Sequence, residues 1–334
     1  MPRLLHTADW RLNHQPARFE AVARLAALAH AERVDAVLVA GDALDDADLD
    51  DATLDRVRQA LAAFAPIPVV LVPGDRDAAE PEGALDRLRP PVHVHTPRAR
   101  ALLAVGGLHV LACPRRRRHS DEDPLLGLQL PEVDGPLVVV AHGLARGMRG
   151  ETADTLQPER ARGADWVALG GSSPGVQPSE RVAWPGTPEP WGAELPGAAL
   201  IVELTHRGAA PLVTRHPVAV TTWTSVRRTL ASALGDLPQA LAAAPRPGVL
   251  KLELDGLLDL PGRAALDAAL DAARRDPQLQ LELDDQVRLD LSGVTLPAGV
   301  AADALQHLLA RSDRVGQAAG ALLAAWVAEE RGAR

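Results

Sequence analysis

Short apolar runs alternate along this chain with stretches of helical periodicity, the signature of β-α-β units. Leu4-Leu5 opens a strand that ends at Thr7-Ala8-Asp9, and residues about 17–32 follow as a helix. Asp35 to Ala40 is a strand whose residues from Ala36 onward form an uninterrupted apolar run of the kind buried on both faces of a sheet, and it stops at Gly41-Asp42. Leu54, Val57, Leu61 and Phe64 recur at helical spacing, which predicts an amphipathic helix over about 50–64. Pro68 to Val72 is the next strand and stops at Pro73-Gly74-Asp75. Strands are predicted at 101–104, 108–112 and 137–141, the last running into Ala141-His142-Gly143, and at 165–169 before Gly170-Gly171. Strands near 181–184, 198–204 and 211–214 lack intervening helices.

The pattern changes between Pro217 and Trp223. Beyond it the spacing predicts a helix over 225–234, a Pro-rich stretch, a strand at 248–254, a helix at 261–275, and strands at 278–283 and 286–290. Two helices are expected to close the chain, the last with Val315, Ala319, Leu322, Trp326 and Val327 on one apolar face.

Composition adds bounds. With 334 residues, about two domains are expected at roughly 150 residues each. Hydrophobic residues at 47% and charged residues at 24% fit a globular protein and argue against disorder. A net charge of −9 gives no global drive toward polyanions. Cys113 is the single cysteine, which excludes an intrachain disulfide and a cysteine-based zinc site; a small buried apolar role suits it. The N-terminus lacks a secretory apolar region and no apolar run reaches about 18 residues, so the cytoplasm is the expected compartment.

The chemistry collects at strand ends. Asp9, Asp42, Asp75 and His142 each close a predicted strand, the first three at a spacing of 33 residues. An aspartate after a strand is often a turn or cap residue. Four ligand-type residues at the carboxyl ends of strands, however, converge in an open α/β sheet. Oxygen and imidazole donors suit Mn, Fe or Zn, and a metal pair can clamp the oxygens of a phosphoryl transfer.

On these residues the chain resembles the calcineurin-like metallophosphoesterases, and among them the SbcD-like DNA repair exonuclease subunits. Leu5-His6-Thr7-Ala8-Asp9-Trp10-Arg11-Leu12 is similar to LHTSDWHLG, Gly41-Asp42-Ala43-Leu44-Asp45 to GDxxD, and Gly74-Asp75-Arg76-Asp77 to GNHD. Ala141-His142-Gly143 stands at the isolated metal histidine, Val167 to Pro174 at VALGHIHKP, and Pro185 to Pro190 at YPGSPEP. The resemblance runs in order over residues 3–223. It implies a four-layer α/β/β/α phosphoesterase domain over 1–218, a small α/β capping domain over 219–298, and C-terminal helices over 299–334 that can dock a partner. It also implies a coiled-coil SbcC-like ATPase partner, a homodimer and DNA as substrate.

Carried over by position, one metal site would use Asp9, Arg11, Asp42 and Ser173, and the other Asp42, Asp75, His142 and Gly171. Here the chain departs from the pattern. Arg11 replaces a histidine ligand and stays protonated, so it cannot ligate a metal. Gly171 and Ser173 stand where histidines are lost, and Arg76 replaces the histidine near the leaving group. Arg11 is expected to place its guanidinium between Asp9 and Asp42, relieving their repulsion without a metal. Mn or another divalent ion is then expected once at most.

Three functions follow as expectations: an architectural pseudo-nuclease; a single-metal phosphodiesterase using Asp42, Asp75 and His142, with Arg11 and Arg76 on phosphoryl oxygens; and a small-molecule phosphoesterase. The run Arg115-Arg116-Arg117-Arg118 is a candidate for DNA-backbone contact, or a solvated loop balanced by Asp121, Glu122 and Asp123. The acidic stretch Asp45 to Asp51 would repel a nearby phosphate and suits the start of the following helix. His14 is a remote substitute for Arg11 as ligand, and His6 fits a packed structural role.

Overall fold

The computed structural model describes residues 1–290, except 47, 119, 146–155, 173, 193–194 and 196, together with 303, 304, 307 and 319. Strand β1 (Arg3–Thr7) leads to helix α1 (Pro16–Ala31), β2 (Ala36–Ala40), α2 (Asp51–Ala62), β3 (Val69–Val72), α3 (Ala84–Leu88) and β4 (Val94–His95). Then come β5 (Ala101–Val105), β6 (Leu108–Cys113), β7 (Leu137–His142), a 3-10 turn at Pro158–Ala161, and β8 (Trp166–Gly170). β9 (Val176–Ser179), β10 (Val182–Trp184), β11 (Ala198–Glu203) and β12 (Leu212–Pro217) complete this part. The remainder holds β13 (Thr222–Ala231), α4 (Leu237–Ala243), β14 (Gly248–Leu258), α5 (Leu260–Arg274), β15 (Leu279–Asp285) and β16 (Arg288–Leu289). The chain divides into two compact units, Met1–Thr221 and Thr222–Arg334.

The first unit stacks two six-stranded sheets, ordered β12-β11-β1-β2-β3-β4 and β5-β6-β7-β8-β10-β9. β1 to β4 run parallel, as do β6, β7, β8 and β10; β11 and β12 close one edge antiparallel. Period-2 alternation assigns the faces. Leu5, Val37, Val39, Val69 and Leu71 pack with Val22, Leu25, Leu54 and Leu61 of α1 and α2. Leu4, Leu38, Val70 and Val72 face Val110, Val138, Val140 and Trp166 across the two sheets. The outer side of the second sheet packs with Leu125, Leu156 and Ala161, in loops and the 3-10 turn. Asp50 caps α2, its Oδ1 accepting from Thr53 N at 2.7 Å, which gives the acidic stretch a structural use.

Asp165 ties the start of β7 to a distant turn. Its buried carboxylate accepts from Leu137 N (2.7 Å), Gly208 N (2.6 Å) and Arg207 Nη1 (2.8 Å). Asp165→Ala strands those donors and is expected to cost about 3 kcal/mol in urea unfolding.

In the second unit β13, β14 and β15 form a parallel sheet with β16 beside β14, covered on one face by α4 and α5. The helix expected over 225–234 is instead strand β13. Thr222, Trp223, Thr224, Val226 and Thr229 favour extended backbone, and β13 pairs over ten residues with β14. The nearby helix is α4, in the stretch read as Pro-rich; Pro238 sits in its first turn, where a missing N–H costs nothing. The closing helices fall, apart from residues 303, 304, 307 and 319, outside the described residues. Among the described residues no helix is long and apolar enough to cross a membrane.

Candidate active site

The carboxyl ends of β1, β2, β3 and β7 bring Asp9, Asp42, Asp75 and His142 to one pocket. The backbone there is unusual. Asp9, Arg11 and Asp42 adopt positive φ (55°, 48° and 53°), a region that non-glycine residues seldom occupy and that clusters at functional sites. Hydrogen bonds between the two loops hold these turns: Asp9 N donates to Gly41 O (3.0 Å), Arg11 N to Asp42 O (2.9 Å) and Leu12 N to Ala43 O (2.9 Å). Gly41 at φ 86° is required doubly, because a Cβ there would enter the His142 ring.

His142 is fully enclosed. Its Nδ1 lies 2.8 Å from Ala40 O; a carbonyl only accepts, so Nδ1 carries the proton. Nε2 therefore faces the pocket, 3.5 Å from Asp42 Oδ1 and 3.6 Å from Asp75 Oδ2. This second partner is the arrangement that orients a ligating imidazole. Asp9 Oδ2 accepts from Gly171 N at 3.0 Å, while its buried Oδ1 has no hydrogen-bond partner among the described residues. Ligand atoms of Asp9, Asp42 and His142 all lie within 4.8 Å of one another. An unbonded buried carboxylate oxygen beside an inward-facing imidazole fits one divalent cation.

Among the described residues Asp9, Asp42 and His142 are the side chains grouped to hold an ion, and cations stand beside them. Arg11 Nη2 is 3.8 Å from Asp9 Oδ1 and Nε is 3.9 Å from Asp42 Oδ2, with the guanidinium carbon 4.2 Å over the Trp191 ring. Gly171, at φ 101°, supplies an amide and no side chain. Ser173 lies outside the described residues. Asp75 sits beside another cation, its Oδ1 3.0 Å from Arg115 Nε. Arg76 stands at the rim, 43% exposed, with Nε 3.7 Å from Asp42 Oδ2 and Nη1 3.0 Å from Asp45 Oδ1.

Burial pushes the Asp9 carboxyl above the usual carboxylate range; Asp42 adds to the rise, and His142, Arg11 and the Gly171 amide oppose it. For His142 burial works against the charged form, yet the carboxylates of Asp42, Asp9 and Asp75 overcome it and raise the pKa from 6.5 to about 9. A raised histidine stabilises the fold fully below pH 6.5, and this support is lost as pH rises through about 9. Urea unfolding in chelator is therefore expected to lose about 2 to 3 kcal/mol between these limits. His142→Gln is expected to flatten that slope.

Several working residues carried no role in the sequence reading. Asp77 is buried beneath the pocket: Oδ1 accepts from Asp42 N (3.2 Å) and Gly74 N (2.7 Å), and Oδ2 from Leu44 N (3.1 Å). Its carboxyl is raised to about 6, first by burial and then by Asp42. Thr187 Oγ1 donates to Asp9 O at 3.1 Å, and Trp191 carries Arg11. Arg115 corrects an expectation. It is 2% exposed, and its guanidinium donates to His142 O (3.1 Å), Ser120 O (2.7 Å) and Glu122 O (2.8 Å). It is buried beside Asp75 and His142, apart from the exposed arginines that follow it. Arg116 and Arg117 are exposed, and Arg118 pairs with Asp46 at 3.5 Å. His14 bonds Thr53 Oγ1 at 3.1 Å, away from the pocket, and His6 is buried against Leu169 O, the packed role expected of it.

Two stacked, mostly parallel sheets with carboxylates and an imidazole gathered at their strand ends define a phosphoesterase-type hydrolase scaffold. A family model described as calcineurin-like phosphoesterase matches residues 2–171, and the chain belongs to that family, whose members depend on divalent metals. The crystal structure of TT1561 of Thermus thermophilus is similar over 65% of this chain and 99% of that chain, at 15% identity and a TM-score of 0.42. No curated protein matches the chain.

Proposed function

We propose that this chain is an SbcD-like pseudo-nuclease: an architectural subunit of a DNA-processing complex whose two-metal centre has been replaced by a guanidinium. The observation that carries this reading is Arg11, held between Asp9 and Asp42 at 3.8 and 3.9 Å. A fixed cation between these carboxylates supplies the charge balance that a metal would supply. The order of motifs over residues 3–223 supports the SbcD-like part. In this reading residues 1–218 form the nuclease-like domain, 219–298 the cap, and 299–334 a docking segment. The partner is a coiled-coil ATPase, the chain pairs with a second copy, and the complex works in the cytoplasm.

When bound in this family's sites, a divalent ion activates water and offsets phosphoryl charge. Here Asp9, Asp42 and His142 would hold it, while Arg11 and Arg76 orient phosphoryl oxygens. That trio, with Asp9 in place of the Asp75 expected from the sequence, supports a second reading, a slow single-ion phosphodiesterase. Purified protein assayed with Mn2+ on single- and double-stranded DNA and on a model phosphodiester separates the two. No hydrolysis above the Asp42→Ala background is expected. Robust Mn-dependent DNA cleavage lost in Asp42→Ala overturns the pseudo-nuclease, and slow turnover with one ion per chain establishes the second reading.

A further inference from the structure

Resting on the reading of Arg11 as the group in the cation's place, we infer that this pocket is a metal-independent receptor for a phosphate group, gripped by the guanidinium forks of Arg11 and Arg76. Arg11 is only 18% exposed, and its Nε is shielded from water without a hydrogen-bond partner among the described residues. Its nearest carboxylate oxygens, at 3.8 and 3.9 Å, lie beyond hydrogen-bond reach. Among the described residues the Nε donor of this guanidinium is therefore unspent, a state that buried polar groups rarely hold without a ligand. Stacking on Trp191 at 4.2 Å fixes the plane of the fork before anything binds.

Arg76 converges on the same place. Arg11 Nε and Arg76 Nε approach one oxygen, Asp42 Oδ2, at 3.9 and 3.7 Å. Arg18 stands behind them, its Nη1 donating to Arg11 O and lying 3.3 Å from Asp45 Oδ2. Guanidinium forks match the oxygens of a phosphate in pairs, and two forks can share one tetrahedral group. Asp9, Asp42 and Asp45 oppose an anion, so binding is modest and depends on the arginines. An exposed rim at Arg76, 43% open, lets the rest of a phosphoester extend into solvent.

The test is calorimetry in chelator with inorganic phosphate, a nucleoside 5′-monophosphate, and one oligonucleotide with and without a 5′-phosphate. Saturable binding of inorganic phosphate at one site is expected, with the phosphorylated oligonucleotide favoured over its unphosphorylated twin. Arg11→Gln is expected to weaken binding about tenfold, and Arg11→Lys, which keeps charge but not the fork, by an intermediate factor. Trp191→Leu is expected to weaken it about threefold through lost preorganisation. Arg274→Gln, at an exposed arginine of the second unit, is expected to leave it unchanged. A 5′-phosphate bound tighter on the oligonucleotide than on the mononucleotide assigns a polynucleotide end; equal affinity assigns a small phosphoester. Absent binding in chelator, or equal binding by the protein and Arg11→Gln, overturns the inference. If Mn2+ then still stops at one ion per chain, the pseudo-nuclease reading survives that failure; two ions per chain defeat both.

Discussion

Arg11→Ala is expected to tighten Mn2+ binding by at least about tenfold, the opposite of what removing an ordinary site residue does. Unit charges 4 Å apart interact by about 4 kcal/mol at an effective dielectric near 20. Arg11 lies 3.8 and 3.9 Å from the two carboxylates an ion needs, and its 18% exposure screens part of that interaction. Even about a third of it returned to an incoming ion, roughly 1.4 kcal/mol, changes affinity tenfold. The same substitution leaves Asp9 and Asp42 facing each other without a counter-charge. The variant is thus expected to be less stable than the parent in chelator and to regain more stability on adding Mn2+. Isothermal titration and paired thermal melts read both effects. Weaker Mn2+ binding in Arg11→Ala would mean that the guanidinium assists an ion.

Asp77→Ala carries the largest expected loss of stability. The Asp77 carboxylate takes three backbone N–H groups from two loops, those of Asp42, Leu44 and Gly74. All three bonds are buried, so losing the acceptor strands donors shielded from solvent. A stranded buried donor costs about 1 to 3 kcal/mol, and three in one network do not add fully, so about 4 kcal/mol is expected in denaturant unfolding. Asp77→Asn keeps an acceptor oxygen and is expected to lose about half as much. Because Asp42 N is one of the three, even the milder variant is expected to shift Asp42 and lower metal occupancy. A loss under about 1 kcal/mol for Asp77→Ala would show that the loops hold themselves.

The sequence made the scaffold readable where side-chain pattern alone decides it. The apolar runs ending in Asp9, Asp42, Asp75 and His142 are strands whose ends meet, because parallel strands place their carboxyl ends along one edge. Residues 225–234 misled because Val226, Leu230 and Leu234 satisfy the four-residue helical repeat while Val226 and Leu230 also fit strand alternation; pairing with β14 decides it. Arg115 misled because a run of arginines looks like a solvated surface, whereas its acceptors are main-chain oxygens of Ser120, Glu122 and His142. Asp77 was in plain view inside Gly74-Asp75-Arg76-Asp77, but what it binds is backbone, which a sequence does not display. The stacking of Trp191 on Arg11 joins residues 180 positions apart and has no local signal.

Metal stoichiometry of the purified chain, measured by elemental analysis after equilibration with excess Mn2+ and removal of free ion, reaches the central claim most directly. At most one ion per chain is expected, reduced to none by Asp42→Ala. Two tightly held ions per chain would contradict the claim that Arg11 stands in the place of a cation.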